Sequence, residues 1–254
     1  MDDDGANLRE LGDVSGSVFV TAVSPDGRYI AFSGFPDNEA GADVFSMQVD
    51  GSDLRQVTSG VGLEVVSGWR RPANQILFWN QNEPQGYLAI NPDGSGRTNV
   101  LLPGHLIDPV VSPDGSRVAY VAVVSGEANI FVVNSDGSSP TNLTAITGIG
   151  GGSPEWSPDG AALAFTSLQD AAGHPGHSVW IMNADGSEVQ RVGGVFTYSR
   201  PSWSPDGLHL ALSIETADAN VGDIATVSLD GSSIVNLTNT PDVDERWPFW
   251  SPRP

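Results

Sequence analysis

An all-β chain folded as a β-propeller of four-stranded antiparallel blades is what this sequence predicts, and three observations predict it. A Ser-Pro-Asp-Gly turn recurs at residues 24–27, 112–115, 157–160 and 204–207, with degenerate copies at 71–74 and 251–254, which makes six registers. A second signal, Asp-Gly usually followed by Ser, interleaves with the first at Asp4, Asp50, Asp93, Asp136, Asp185 and Asp230, at spacings of 46, 43, 43, 49 and 45 residues. Short, nearly continuous apolar runs separate the turns, as expected of strands buried on both faces. A period of this length is that of propeller blades.

One repeat justifies the four strands in order. Pro154-Glu155-Trp156-Ser157 reads as a first strand, and the turn at 157–160 reverses the chain. Proline presets φ at the second turn position, aspartate bonds back to nearby amides, and glycine takes the left-handed conformation. Leu163-Ala164-Phe165-Thr166 returns as the second strand and Ser178-Val179-Trp180-Ile181-Met182 forms the third. After the turn at Asp185-Gly186-Ser187, residues 188–192 supply the fourth. The other repeats follow the same plan, which places blades at about 17–60, 65–103, 106–145, 152–194 and 199–239 of a single domain, 1–254. Trp156, Trp203 and Trp250, each just before Ser-Pro, are expected to fill the seams between blades.

The ends of the chain decide the blade count. Residues 4–11 match the end of the first blade, 50–57, while 247–251 carry a sixth first-strand register. The expected fold is therefore six-bladed, with an abbreviated closing blade built from 1–12 and 245–254. The alternatives are five full blades plus surplus terminal strands, or a ring whose missing strands come from another molecule, giving self-association.

Composition narrows the function. The 31 acidic residues outnumber 11 basic ones, all arginine, for a formal net charge of -20. Such a surface repels a phosphate backbone, which argues against nucleic acid as partner. The lysine-free chain fits a GC-rich bacterial genome or adaptation to high salt. With no cysteine there are no disulfides or thiolate sites. No run of about 18 apolar residues is present to span a membrane, and the opening Met1-Asp2-Asp3-Asp4 lacks the pattern of a secretory leader.

The succession Pro-x-Trp-Ser-Pro-Asp-Gly at 201–207, together with Asn134-Ser135-Asp136-Gly137-Ser138 running on to Leu143-Thr144, resembles the repeat of TolB-type β-propellers along essentially the whole chain. The resemblance implies a non-catalytic recognition scaffold, periplasmic or extracellular, whose partners are proteins or cell-envelope components. The same repeat recurs in the propeller halves of serine peptidases and in some lyases. No Gly-x-Ser-x-Gly elbow is present. The remaining readings are a small lyase or glycosidase using loop carboxylates, with or without a divalent metal, and a self-assembling subunit closed by strand exchange.

Short uniform turns occupy one face of such a ring, so the variable loops and the channel mouth on the other face are the expected site. Asp108, Arg200, Glu245 and Arg246 are expected to begin the innermost strands and surround the mouth. Asp170, His174 and His177 could begin a metal site, although the intervening Pro175-Gly176 favours a solvated turn. Loop acids Asp37, Glu39 and Asp43 could take calcium, whereas the Asn-x-Asp-Gly-Ser runs fall where a hairpin turn is required.

Overall fold

The computed structural model of the chain describes residues 18–36, 41–70, 73–83, 87–100, 106–145, 149–167, 177–197, 199–215, 222–240 and 243–250. Five four-stranded antiparallel blades follow one another. The first holds β1 (Val18–Val23), β2 (Tyr29–Gly34), β3 (Asp43–Gln48) and β4 (Arg55–Gln56). The second holds β5 (Glu64–Arg70), β6 (Gln75–Asn80), β7 (Tyr87–Ile90) and β8 (Thr98–Asn99). The third holds β9 (Ile107–Val111), β10 (Arg117–Val124), β11 (Glu127–Asn134) and β12 (Thr141–Asn142). In the fourth are β13 (Gly152–Trp156), β14 (Ala162–Ser167), β15 (His177–Asn183) and β16 (Gln190–Thr197). The fifth comprises β17 (Ser202–Trp203), β18 (His209–Glu215), β19 (Gly222–Ser228) and β20 (Ile234–Asn236). Strand order within each blade is sequential, and one pairing, Thr197 with Ile214, joins the fourth blade to the fifth.

The turn chemistry is local and repeats. Ser24, Ser112, Ser157 and Ser204 each donate their hydroxyl to the aspartate two residues on at 2.6 Å. Each hydroxyl also accepts the amide five residues on, from Tyr29, Arg117, Ala162 and His209. Gly27, Gly115, Gly160 and Gly207 sit at φ of 70, 73, 71 and 71°. In the second blade Asn74, one residue further along relative to the paired strands, is left-handed at φ 51°, which asparagine tolerates better than other side chains.

Apolar side chains fill the seams between blades. Ala31, Val44, Ile76 and Phe78 join the first blade to the second; Leu77, Tyr87, Val118 and Val133 the second to the third. Ile130, Leu163, Phe165 and Met182 close the next seam, and Val179, Leu210, Leu212 and Val227 the last. A repeated hydrogen bond crosses three of these seams. Trp69 Nε1 donates to Ala22 O at 3.0 Å, Trp156 to Val110 O at 3.1 Å and Trp203 to Glu155 O at 3.1 Å. Each indole thereby satisfies its donor while its rings pack in the seam. The Trp156 ring also lies 4.7 Å beneath the Arg117 guanidinium.

The expected six-bladed ring is corrected here: the described residues form five blades. Residues 245–250 of the anticipated closing blade are not a strand, and 1–12 and 251–254 lie outside the described residues. The segment docks on the fifth blade instead. Glu245 donates its amide to Gly222 O at 2.8 Å, Ser213 Oγ donates to Glu245 O at 2.7 Å, and the Trp250 amide donates to Ser202 Oγ at 3.1 Å. Among the described residues no second strand lies beside it to offer a ladder. Trp250, next in the indole series, keeps its Nε1–H buried without an acceptor among the described residues. These residues contain no helix long and apolar enough to cross a membrane.

Candidate binding site at the channel mouth

The five innermost strands and the 243–250 segment converge on a central channel, and one position of each faces it. Ala22, Gly68, Val110, Glu155, Ser202 and Phe249 occupy that position and line a cavity of about 280 Å³. Five of the six are apolar or small. Glu155 is the single ionisable group among them.

Above this cavity the inner strands share an irregularity that builds the mouth. The ladders of β1, β5, β9 and β13 all slip, between Phe19 and Thr21, Val66 and Gly68, opposite Ala119 and Val121, and between Gly152 and Glu155. A bulge bends the strand and re-aims the side chain at the slip. In β9 and β13 the slip falls at the residue before proline, where Asp108 and Ser153 adopt φ of 47 and 46°. Trp247, before Pro248, stands at φ 58°, which for so bulky a residue is an outlier. Arg200 precedes Pro201 in the same column. The side chains of Asp108, Ser153, Arg200 and Trp247 meet in a second cavity of about 230 Å³, which also takes in Glu155, His177 and Phe249.

Charge in the mouth is incompletely matched. Arg200 Nη2 lies 3.8 Å from Asp108 Oδ1, and Nη1 lies 4.0 Å from Glu155 Oε2. Both separations exceed hydrogen-bond length, so the guanidinium acts on the carboxylates through space. Ser153 Oγ donates to Asp108 Oδ2 at 3.2 Å. Glu155 has a side chain 22% exposed and lines both cavities. Burial pushes its carboxyl up to about 7, and the nearby Arg200 only partly opposes that rise. Burial also lowers the His177 imidazole below its ordinary value, favouring the neutral ring.

Of the residues expected at the mouth, Asp108 and Arg200 come together there, while Glu245 and Arg246 lie elsewhere. Thr240 Oγ1 donates to Glu245 Oε1 at 2.9 Å, and Arg246 Nε donates to Asp244 Oδ2 at 2.8 Å. His177 begins β15 and lines the mouth, whereas Asp170 and His174 lie outside the described residues. Asp43 accepts from Gln56 Nε2 at 2.7 Å, and Asp37 and Glu39 lie outside the described residues. Among the described residues no set of three histidines or acids is placed to hold a metal ion. The Asp185 carboxylate accepts both the Ser187 amide and its hydroxyl, which is turn chemistry. Glu155, Ser153 and Trp247 were not anticipated. Aligning the repeats on their Pro-x-Trp columns isolates Glu155 as the charged member of the six-residue channel-facing position.

The TolB beta propeller domain family matches residues 80–254. The chain is 33% identical over 278 residues to the Tol-Pal system protein TolB of Gluconobacter oxydans, an alignment that covers 89% of this chain and 59% of that protein. It is 28% identical over 133 residues to a TolB homolog of Chlorobium luteolum, covering 52% of this chain and 30% of that one. The chain thus spans less than two thirds of these relatives. Among solved structures, TolB from Acinetobacter baumannii superposes with a TM-score of 0.81 at 19% identity, over 99% of this chain and 61% of that one. An oligogalacturonate lyase in complex with manganese superposes with a TM-score of 0.59 at 14% identity, over 91% and 69%. Likeness at such identity establishes the propeller architecture alone. On the family match, the chain belongs to the TolB β-propeller domain family.

Proposed function

We propose that this propeller is a non-catalytic recognition module of the bacterial cell envelope, which binds a protein partner through its channel mouth. The observation that supports this best is the mouth itself. Three blades and the 243–250 segment each present the residue before a proline to a single 230 Å³ space, with Trp247 54% exposed at its rim. Aromatic residues with an apolar body standing free at a concave site are typical anchors of protein interfaces. Similarity to a Tol-Pal system protein supplies the class of partner, a Pal-type envelope protein. Surface plasmon resonance against immobilised Gluconobacter oxydans Pal tests the reading. Saturable binding that weakens at least tenfold in Trp247→Ala is expected, and the absence of binding by the native chain would overturn it.

A lyase-type reading has one specific observation behind it. A carboxyl held near 7 is poised to give and take protons at neutral pH, and Glu155 has that property. Incubation with oligogalacturonate and manganese, followed at the absorbance of unsaturated products, decides the matter; the recognition reading expects no turnover.

A further inference from the structure

We infer that the channel mouth is a receptor for one basic side chain, a lysine ammonium or an arginine guanidinium carried on a loop of the protein partner. The inference rests on the recognition reading above and names the chemistry of the same site.

Size and lining are the first grounds. A space of about 230 Å³ takes a single long side chain and excludes a folded element. Trp247 and Phe249, 54% and 40% exposed, line it together with the carboxylates of Asp108 and Glu155. Aromatic rings and carboxylates that line one space each attract a cation. An anion there would meet two carboxylates.

Charge is the second ground. The titratable and charged groups facing Glu155 are Asp108, His177 and Arg200. Arg200 stands beyond hydrogen-bond length from both acids, and burial disfavours the imidazolium of His177. With both acids ionised the mouth has one more negative charge than positive, in a chain of formal net charge -20. Glu155 holds its proton up to about 7 because one distant guanidinium does not offset its burial. A second cation beside it supplies the missing charge, so the cation enters as the Glu155 proton leaves. A metal ion is the poorer occupant, since Asp108, Glu155 and His177 line the space without being placed to hold one together.

The test is a titration of the ¹⁵N-labelled chain with the capped tripeptides Ac-Gly-Arg-Gly-NH2, Ac-Gly-Lys-Gly-NH2, Ac-Gly-Gln-Gly-NH2 and Ac-Gly-Glu-Gly-NH2, followed by NMR. The Arg and Lys peptides are expected to shift the Trp247 indole and the amides of Asp108 and Glu155. The Gln and Glu peptides should leave them in place. Affinity for the Arg peptide should strengthen about tenfold from pH 6 to pH 8 as Glu155 ionises. Glu155→Gln should flatten that profile, and Asp108→Asn should weaken binding while leaving the slope; unchanged spectra elsewhere report that both variants are folded. Equal response to the Gln or Glu peptide, a flat pH profile in the native chain, or no response to any peptide at 20 mM (about the ceiling for so small a probe) would overturn the inference. If Pal binds while the Arg and Lys peptides do not, this inference falls and the recognition reading stands. If those peptides bind at the mouth while Pal does not, the recognition reading falls alone.

Discussion

The indole N–H of Trp203 donates to the backbone carbonyl of Glu155 across a blade seam at 3.1 Å. The bond couples the packing of the seam to a channel-facing acid: the residue that closes the seam also fixes the strand presenting Glu155 to the mouth. Trp203→Phe keeps most of the ring volume and leaves that carbonyl without its partner. It should cost about 1–3 kcal/mol in urea unfolding. Trp203→Ala, which also opens the seam, should cost about 3–5 kcal/mol.

Glu155 itself opposes folding at neutral pH. Its carboxyl titrates at about 7 in the native chain against 4.5 for the unperturbed group. Between those values the native state holds a proton that the unfolded state has released, so stability falls as pH rises from 4.5 to 7. Above 7 the full penalty of burying the charge applies, on the order of 3 kcal/mol. Glu155→Gln should therefore match the native chain near pH 4 and exceed its stability at pH 8, as read by thermal unfolding across the range.

The opposite sign governs the turns. Hydrogen bonds from the Ser157 hydroxyl and the Ala161 amide hold the Asp159 carboxyl below its ordinary value. Stability from that ionised turn is present above the ordinary carboxylate value of 3.8 and is lost as pH falls through the lowered one. Ser157→Ala removes the bond to Asp159 and the acceptor of the Ala162 amide. A loss of about 1–2 kcal/mol at pH 7 and acid unfolding that begins at a higher pH are expected, the latter measured by circular dichroism.

Asn74 offers a backbone test. It stands at φ 51° and donates its side-chain amide to Asp26 Oδ2 at 3.1 Å. Asn74→Gly should change stability little, since glycine fits the left-handed region. Asn74→Leu should cost about 1–2 kcal/mol, the penalty for placing an ordinary side chain there.

What the sequence reveals and conceals follows from range. The turns at 24–27 and 157–160 are legible because their bonds run between residues two to five apart. The strands they join are legible for the same reason. Trp69 is less so: it pairs with Ile76 as Trp156 pairs with Leu163, so the degenerate turn at 71–74 comes one residue later after its tryptophan than the others do. The blade count depends on what pairs with the last inner register, a long-range matter that no local pattern encodes. At the mouth, Asp108 and Arg200 stand directly before their prolines, and that column brings them together. Glu245 and Arg246 precede Trp247, which holds the column in their place. Glu155 escaped notice because a glutamate inside an apolar strand looks ordinary until the repeats are aligned.

The column before proline has an evolutionary consequence. Its members are Asp, Ser, Arg and Trp, of four different chemistries, and the backbone aims all of them at one space. A proline follows each of them, with a strand slip added at Asp108 and Ser153, and none of the four belongs to the apolar clusters of the seams, so the identity of the side chain is free to change without disturbing that packing. The mouth can thus acquire a new specificity one substitution at a time, each scored by its ligand rather than by folding, and homologous rings of nearly identical architecture can diverge in what they bind.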